Sequence, residues 1–143
     1  MNTSKTQLFL VDDDAVFLKA LEIDFLQHSD YEIRTFSSGE NCLSNIADEP
    51  QIIILDYNLD GINKEAMNGL ETLDKIKQFN KNIQVIMLSS QDSIDVAVSC
   101  MHHLAYDYVV KSETAFFRIQ KNITNILAQQ KMEKQVSWYM DRM

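Results

Sequence analysis

Glycine is scarce in this chain: among 143 residues only Gly39, Gly61 and Gly69 are glycines. That excludes a G-x-G-x-x-G turn or a Walker phosphate loop, and nucleotide binding by those routes with them. The two cysteines, Cys42 and Cys100, lie in helix-like contexts without metal-ligand spacing, so two inert thiols in an intracellular protein are expected and a disulfide between them is not. Basic residues are outnumbered, thirteen Lys and Arg against twenty-one Asp and Glu for a net charge of -8. Without a basic face the domain is not expected to grip nucleic acid directly; any such binding would fall to a partner or another module. No apolar run approaches the roughly 18 residues of a membrane span, and the polar lead Met1 to Gln7 has no signal-peptide pattern. A cytoplasmic protein with no membrane contact is the expectation, and the length suits a single core.

What the chain does have is short apolar runs that stop abruptly on polar residues. Leu8 to Val11 runs into Asp12-Asp13-Asp14, Ile52 to Leu55 into Asp56, Val85 to Leu88 into Ser89-Ser90, and Tyr108 to Val110 into Lys111. Such runs, separated by helix-patterned stretches, read as buried strands of a parallel sheet. Tyr31 to Phe36, with Tyr31, Ile33 and Thr35 alternating against Glu32 and Arg34, fits a half-exposed strand. Helices are predicted over 14–28 on Leu18, Leu21 and Phe25, over 68–79 on Leu70, Leu73 and Ile76 or Lys77, and over 93–104 on Val96, Val98, Cys100, Met101 and Leu104. Ser37-x-x-Glu40 resembles a capping box for a further helix running to about Asp48, with Pro50 stopping it. Asp14 is expected to cap the first helix. Strand and helix alternate five times, which predicts an α/β fold: a flavodoxin-like, doubly wound five-stranded parallel sheet in the order 2-1-3-4-5 with helices on both faces.

In that winding the switch point lies between the first and third strands, and it gathers Asp12, Asp13 and Asp56 at the carboxyl edge where open sheets bind ligands. Asp56, after the most continuous run, is the candidate nucleophile toward phosphorus, forming an aspartyl phosphate. Carboxylates about 4 Å apart repel by roughly 4 kcal/mol at an effective dielectric near 20, so a divalent cation is implied. Hard oxygen donors favour Mg²⁺, with Asp13 and Asp56 binding directly, Asp12 through water and the backbone carbonyl of Asn58 completing the protein ligands. Ser89 would donate to a phosphoryl oxygen and Lys111 would neutralise another.

Val11-Asp12-Asp13-Asp14, Leu55-Asp56-x-Asn58, Leu88-Ser89-Ser90 and Ala105-Tyr106-Asp107-Tyr108-Val109-Val110-Lys111, in order and each at a strand end, together resemble the receiver domain of bacterial two-component response regulators over about residues 7 to 128. The resemblance implies phosphoryl transfer to Asp56 from the phosphohistidine of a sensor histidine kinase or a phosphotransfer protein. It implies autodephosphorylation without conventional enzyme activity, and a switch in which Ser89 and Tyr108 report phosphorylation to the surface of the fourth helix, fifth strand and fifth helix. Phosphorylation adds about two negative charges and three acceptor oxygens, enough to draw the Ser89 hydroxyl inward with the Tyr108 ring following.

Three features depart from the family pattern. Gly69 lies 13 positions after Asp56 instead of roughly eight, so the loop Asp60 to Met67 is about five residues longer and stands beside the site. Lys111 is followed by Ser112 where the family usually has proline after a cis bond, so that backbone geometry is not carried over. The hydroxyl is Ser89 instead of the commoner threonine.

Other readings of the same residues are weaker. Asp56-x-Asn58-x-Asp60-Gly61 begins like an EF-hand loop, but its twelfth position is Met67 and a strand precedes it. An aspartate-nucleophile phosphatase of the haloacid dehalogenase type would want an Asp where Asn58 stands. A pseudo-receiver interaction module that is never phosphorylated would usually have lost one of the acidic groups or the lysine. His28, His102 and His103 lack ligand spacing and are expected at the surface. At the carboxyl end, Phe116, Ile119, Ile123 and Ile126 form one helical stripe, and Met132, Val136, Tyr139 and Met143 a second, rotated one. The receiver is therefore expected to occupy residues 1–130, and residues 131–143 to extend the last helix as a linker or as a segment pairing with a second copy.

Overall fold

A computed structural model describes residues 5–28 and 30–142; the first four residues of the polar lead, and Met143 of the rotated stripe, lie outside it. The strands are β1 (Thr6–Val11), β2 (Tyr31–Phe36), β3 (Ile52–Asp56), β4 (Gln84–Ser89) and β5 (Asp107–Val110). They alternate with α1 (Ala15–Leu26), α2 (Gly39–Ser44), α3 (Gly69–Phe79), α4 (Ile94–His102) and α5 (Ala115–Arg142). All four pairings are parallel, and the five strands stand in the order β2-β1-β3-β4-β5. The apolar runs dictate this arrangement: every residue of β3 is buried, as a central strand covered on both faces requires.

Two apolar layers flank the sheet, and the alternation of side chains along each strand separates them. Phe9, Val11, Ile53, Leu55, Val85, Met87 and Tyr108 face α2, α3 and α4, meeting Cys42, Leu73, Ile76 and Cys100. Leu8, Leu10, Ile52, Ile54, Ile86, Leu88 and Val109 face α1 and α5, meeting Leu21, Phe25, Ile119, Ile123 and Ile126. Both cysteines are free and buried, and burial pushes the Cys42 thiol up to about 12 and the Cys100 thiol up to about 11.

Several local expectations need correction. The N-cap of α2 is Ser38, whose side chain accepts from Asn41 N–H; Glu40 reaches elsewhere, so Ser37 and Glu40 do not form a capping box. This helix stops at Ser44 and a single 3₁₀ turn, Ile46–Asp48, completes the connection. The apolar residues of α4 are mostly a surface feature, since Cys100 is its one buried residue while Val98, Met101 and Leu104, just beyond its end, are exposed. His103 is half-buried and pairs with Asp74 at 2.7 Å, whereas His28 and His102 are exposed. Asp14 does cap α1, accepting from the Val16 and Phe17 amides. The capping box of α3 is formed by Asn68 and Glu71.

The last helix continues without a break after its packing ends. Ile126 is its last buried residue, and residues 131–142 are exposed throughout, Met132, Val136, Trp138, Tyr139 and Met140 included. None of the described helices is long and apolar enough to cross a membrane.

Candidate functional site

The carboxyl ends of β1 and β3 stand side by side where the strand order reverses, and the Lys111 side chain reaches them from the end of β5. Asp12 directly follows β1 and Asp56 ends β3; they are 1 % and 2 % exposed, with Asp13 half-buried beside them. One carboxylate oxygen from each of Asp12, Asp13 and Asp56 lies within 4.8 Å of the others. Lys111, just after β5, places its ammonium 2.9 Å from Asp12 Oδ2 and 3.5 Å from Asp56 Oδ1. Its peptide bond to Ser112 is trans, as are all peptide bonds among the described residues. The Phe17 ring lies 4.5 Å from the same ammonium, and this cation–π contact from α1 was not legible in a residue outside the Leu18, Leu21, Phe25 stripe.

Backbone amides orient the acids. Asp14 N–H donates to Asp12 Oδ1 at 2.9 Å, Asn58 N–H to Asp56 Oδ1 at 3.3 Å and Ile62 N–H to Asp13 Oδ2 at 3.3 Å. The contact between Lys111 and Asp12 Oδ2 is close but misaligned, so that buried oxygen has a charge partner and no hydrogen bond. Burial, and next the charge of Asp12, push the Asp56 carboxyl up to about 7 against the opposing pull of Lys111. For Lys111 burial acts the other way, to lower it, yet Asp12 and Asp56 together outweigh it and hold the ammonium above the ordinary lysine range. The cluster thus has more negative charge than its one lysine comfortably offsets. Hard oxygen donors, a buried carboxylate oxygen with no hydrogen bond beyond its charge partner, and a nucleophile raised by burial and by the Asp12 charge suit a small divalent cation held by Asp12, Asp13 and Asp56.

An open cleft of about 510 Å³ gives access, lined among others by Asp13, Asp56, Asn58, Ser90 and Lys111. Val16 and Ile62, both largely exposed, stand at its rim. Ser89 is fully buried and does not line this cleft; its neighbour Ser90 does. The Ser89 hydroxyl accepts from Gln91 N–H at 3.0 Å, and the buried Tyr108 ring donates its hydroxyl to the carbonyl of the same Gln91. One residue therefore joins the two predicted switch groups through its backbone, which no side-chain pattern in the sequence could announce. Pairing of Ser89 with Val110, and the Lys111 N–H bond to Ser89 O at 2.8 Å, tie this pair to the lysine.

The long loop between β3 and α3 is fastened at both ends. Leu59 is buried in the core, and Gly69 N–H donates to Tyr57 O at 3.0 Å. A Cβ at Gly69 would lie 2.3 Å from the Asp56 carbonyl oxygen, so glycine is required by close approach to the end of β3. The added residues accordingly bulge out before Gly69, over Asp13.

Comparison with known proteins agrees with this fold. A family model described as the response regulator receiver domain matches residues 8–124. The transcriptional regulatory protein ZraR of Klebsiella oxytoca is 27% identical over 134 residues, covering 94% of this chain and 29% of that protein. The nitrogen assimilation regulatory protein NtrX of Azorhizobium caulinodans is 33% identical over 103 residues, covering 71% of this chain and 22% of its own length. The chain thus spans less than a third of these curated relatives. Among solved structures, the signal receiver domain of a putative Luxo repressor protein from Vibrio parahaemolyticus superposes with a TM-score of 0.79 at 26% identity, covering 92% of this chain and 97% of that one. With a matched segment that runs from β1 into α5, and with the acids and the lysine at the strand ends that sheet order brings together, this chain belongs to the response regulator receiver domain family.

Proposed function

We propose that this chain is a phosphoacceptor receiver in which Asp56 takes a phosphoryl group from the phosphohistidine of a sensor histidine kinase or phosphotransfer protein in the cytoplasm. The observation that carries this reading is a nearly buried carboxylate, at the sheet's switch point, within reach of two more carboxylates and one lysine. A carboxylate oxygen of Asp56 attacks phosphorus, the bond from phosphorus to the imidazole nitrogen breaks, and the electron pair stays on the imidazole, which takes up a proton. Mg²⁺, held by Asp12, Asp13, Asp56 and the carbonyl of Asn58, would supply charge neutralisation and orientation for the phosphoryl group. Lys111 leaves its carboxylate partners in part to meet the charge on the phosphoryl oxygens, and Ser89 turns its hydroxyl from Gln91 N–H toward one of them. Later attack by water releases inorganic phosphate and restores the carboxylate, so turnover is limited to the domain's own phosphorylation and dephosphorylation.

Switching follows from the shared residue. When Ser89 releases Gln91 N–H, the residue whose carbonyl also holds the Tyr108 hydroxyl is freed to move, and the start of α4 moves with it. Coupling of this kind commonly amounts to about 1–3 kcal/mol, which changes a partner's affinity several-fold to about a hundredfold. The receiver unit is residues 1–130, and residues 131–143, which include the exposed end of α5 over 131–142, serve as a linker or as a pairing segment for a second copy. A mass that doubles with beryllofluoride would support pairing on activation.

The test of the central step is incubation with acetyl phosphate and Mg²⁺ followed by mass spectrometry. Wild type should gain one phosphoryl group that Asp56→Ala does not. Equal incorporation by both would remove Asp56 from the role, and none in the wild type would leave only a folded interaction module.

A further inference from the structure

Glu40 lies at the start of α2, outside the open cleft but lining a second one that Asp13 also lines, and its side chain leaves its own helix. Its Oε2 accepts the Met67 N–H at 2.8 Å, spanning 27 positions to the end of the long loop. The base from which it reaches is rigid. Gly39 next to it is pressed onto Thr72 at the start of α3, where an added Cβ would come within 2.1 Å of Thr72 Oγ1, and both residues are buried. Thr72 in turn donates its hydroxyl to Asn68 O at 2.8 Å, next to Met67.

Between this clasp and the buried Leu59 the loop has few other fastenings; residues 61–65 are exposed, and Ile62 is 78 % exposed. Yet it is the Ile62 N–H, in the middle of that exposed stretch, that holds Asp13 Oδ2. A second cleft, of about 350 Å³, is lined by Asp13, Ser38, Glu40, Leu59, Ile62 and Asn63 among others, and so adjoins both the clasp and the acid. Around Asn63 the loop bonds to itself, through the Glu65 and Ala66 amides, so its hold on Asp13 depends on its fixed ends.

We propose that Glu40 is a positioning residue for the divalent-cation site: by fixing Met67 it holds the long loop so that Ile62 N–H keeps its bond to Asp13 Oδ2 and the carboxylate stays in the acidic cluster. The proposal rests on the receiver reading for its cation. It assigns to the added loop a task that its length alone does not suggest. Groups that orient a metal ligand typically affect affinity by about 10- to 100-fold on removal, and a clasp one step further out should have a smaller effect.

The test is calorimetric titration of the full chain with Mg²⁺, together with amide hydrogen exchange. Glu40→Ala should weaken Mg²⁺ binding by about three- to tenfold and speed exchange at Met67 and Ile62. Glu40→Gln keeps an acceptor oxygen while removing the charge, and should bind Mg²⁺ within about twofold of wild type. Equal weakening in both variants would assign the effect to long-range charge and overturn the clasp, as would a Glu40→Ala protein with faster exchange at Ile62 and unchanged affinity. Should the alanine variant fail to fold, Glu40→Asp, too short to span the gap, carries the same expectation. No Mg²⁺ binding by the wild type would instead sink the receiver reading of the acids, an outcome distinct from failure of the clasp alone.

Discussion

Replacing Asp56 with asparagine should make the metal-free protein more stable at alkaline pH, although it removes the group on which the proposed function depends. The carboxyl is raised from 3.8 to about 7 chiefly by burial and then by the Asp12 charge. At about 1.4 kcal/mol per pH unit, that shift corresponds to roughly 4 kcal/mol between its charged and neutral forms. The folded-state value is above the unfolded one, so the folded chain binds the extra proton. Stability from this group is therefore highest below about pH 4, falls between about pH 4 and 7, and is fully lost above. Asparagine is neutral at every pH and leaves Lys111 paired with Asp12. Local relaxation and water entry reduce the full figure, so a gain of about 1–4 kcal/mol for Asp56→Asn at pH 8 is expected, shrinking to less than about half at pH 5. Urea unfolding in EDTA at both pH values measures it, and adding Mg²⁺ should stabilise wild type more than the variant by mass action. An Asp56→Asn protein no more stable than wild type at pH 8 in EDTA would refute the claim that charge is concentrated at the end of β3.

Lys111→Ala leaves two buried carboxylates without their cation and should cost about 2–5 kcal/mol in EDTA at pH 8, with part of the loss restored by Mg²⁺; a change within error would mean that the lysine is not paired in solution. Gly69→Ala forces a Cβ onto the Asp56 carbonyl and should destabilise by about 1–3 kcal/mol or more, read from the urea midpoint. Tyr108→Phe keeps the ring and removes its hydrogen bond to Gln91 O, for an expected loss of about 0.5–1.5 kcal/mol. If that variant matches wild type in stability and in its response to beryllofluoride, the Gln91 link is not the route of switching.

Much of this molecule was legible before any coordinates. The strands announced themselves because buried parallel strands must be continuously apolar, as in Ile52-Ile53-Ile54-Leu55, and the polar residue ending each run marked the functional edge. Alternation and handedness made the sheet parallel and covered on both faces, and the order expected from the flavodoxin-like winding, which the structure shows, makes the meeting of Asp12, Asp13 and Asp56 a consequence of topology. The apolar residues of 93–104 marked a helix without telling which of them are buried; Val98 and Met101 in α4, and Leu104 just beyond it, are exposed once the helix lies against the sheet.

Local pattern carries information about contacts a few residues away, which is why the runs, the Asp14 cap and the long loop could be found from residue order. Glu40 on Met67 N–H, Ile62 N–H on Asp13 and Phe17 under the Lys111 ammonium join elements far apart in the chain, two of them through backbone atoms that every residue type possesses alike. Folding alone chose those partners. The charge balance at Asp56 belongs with them, because a carboxylate's proton affinity depends on the burial and neighbouring charge it acquires when the strands assemble.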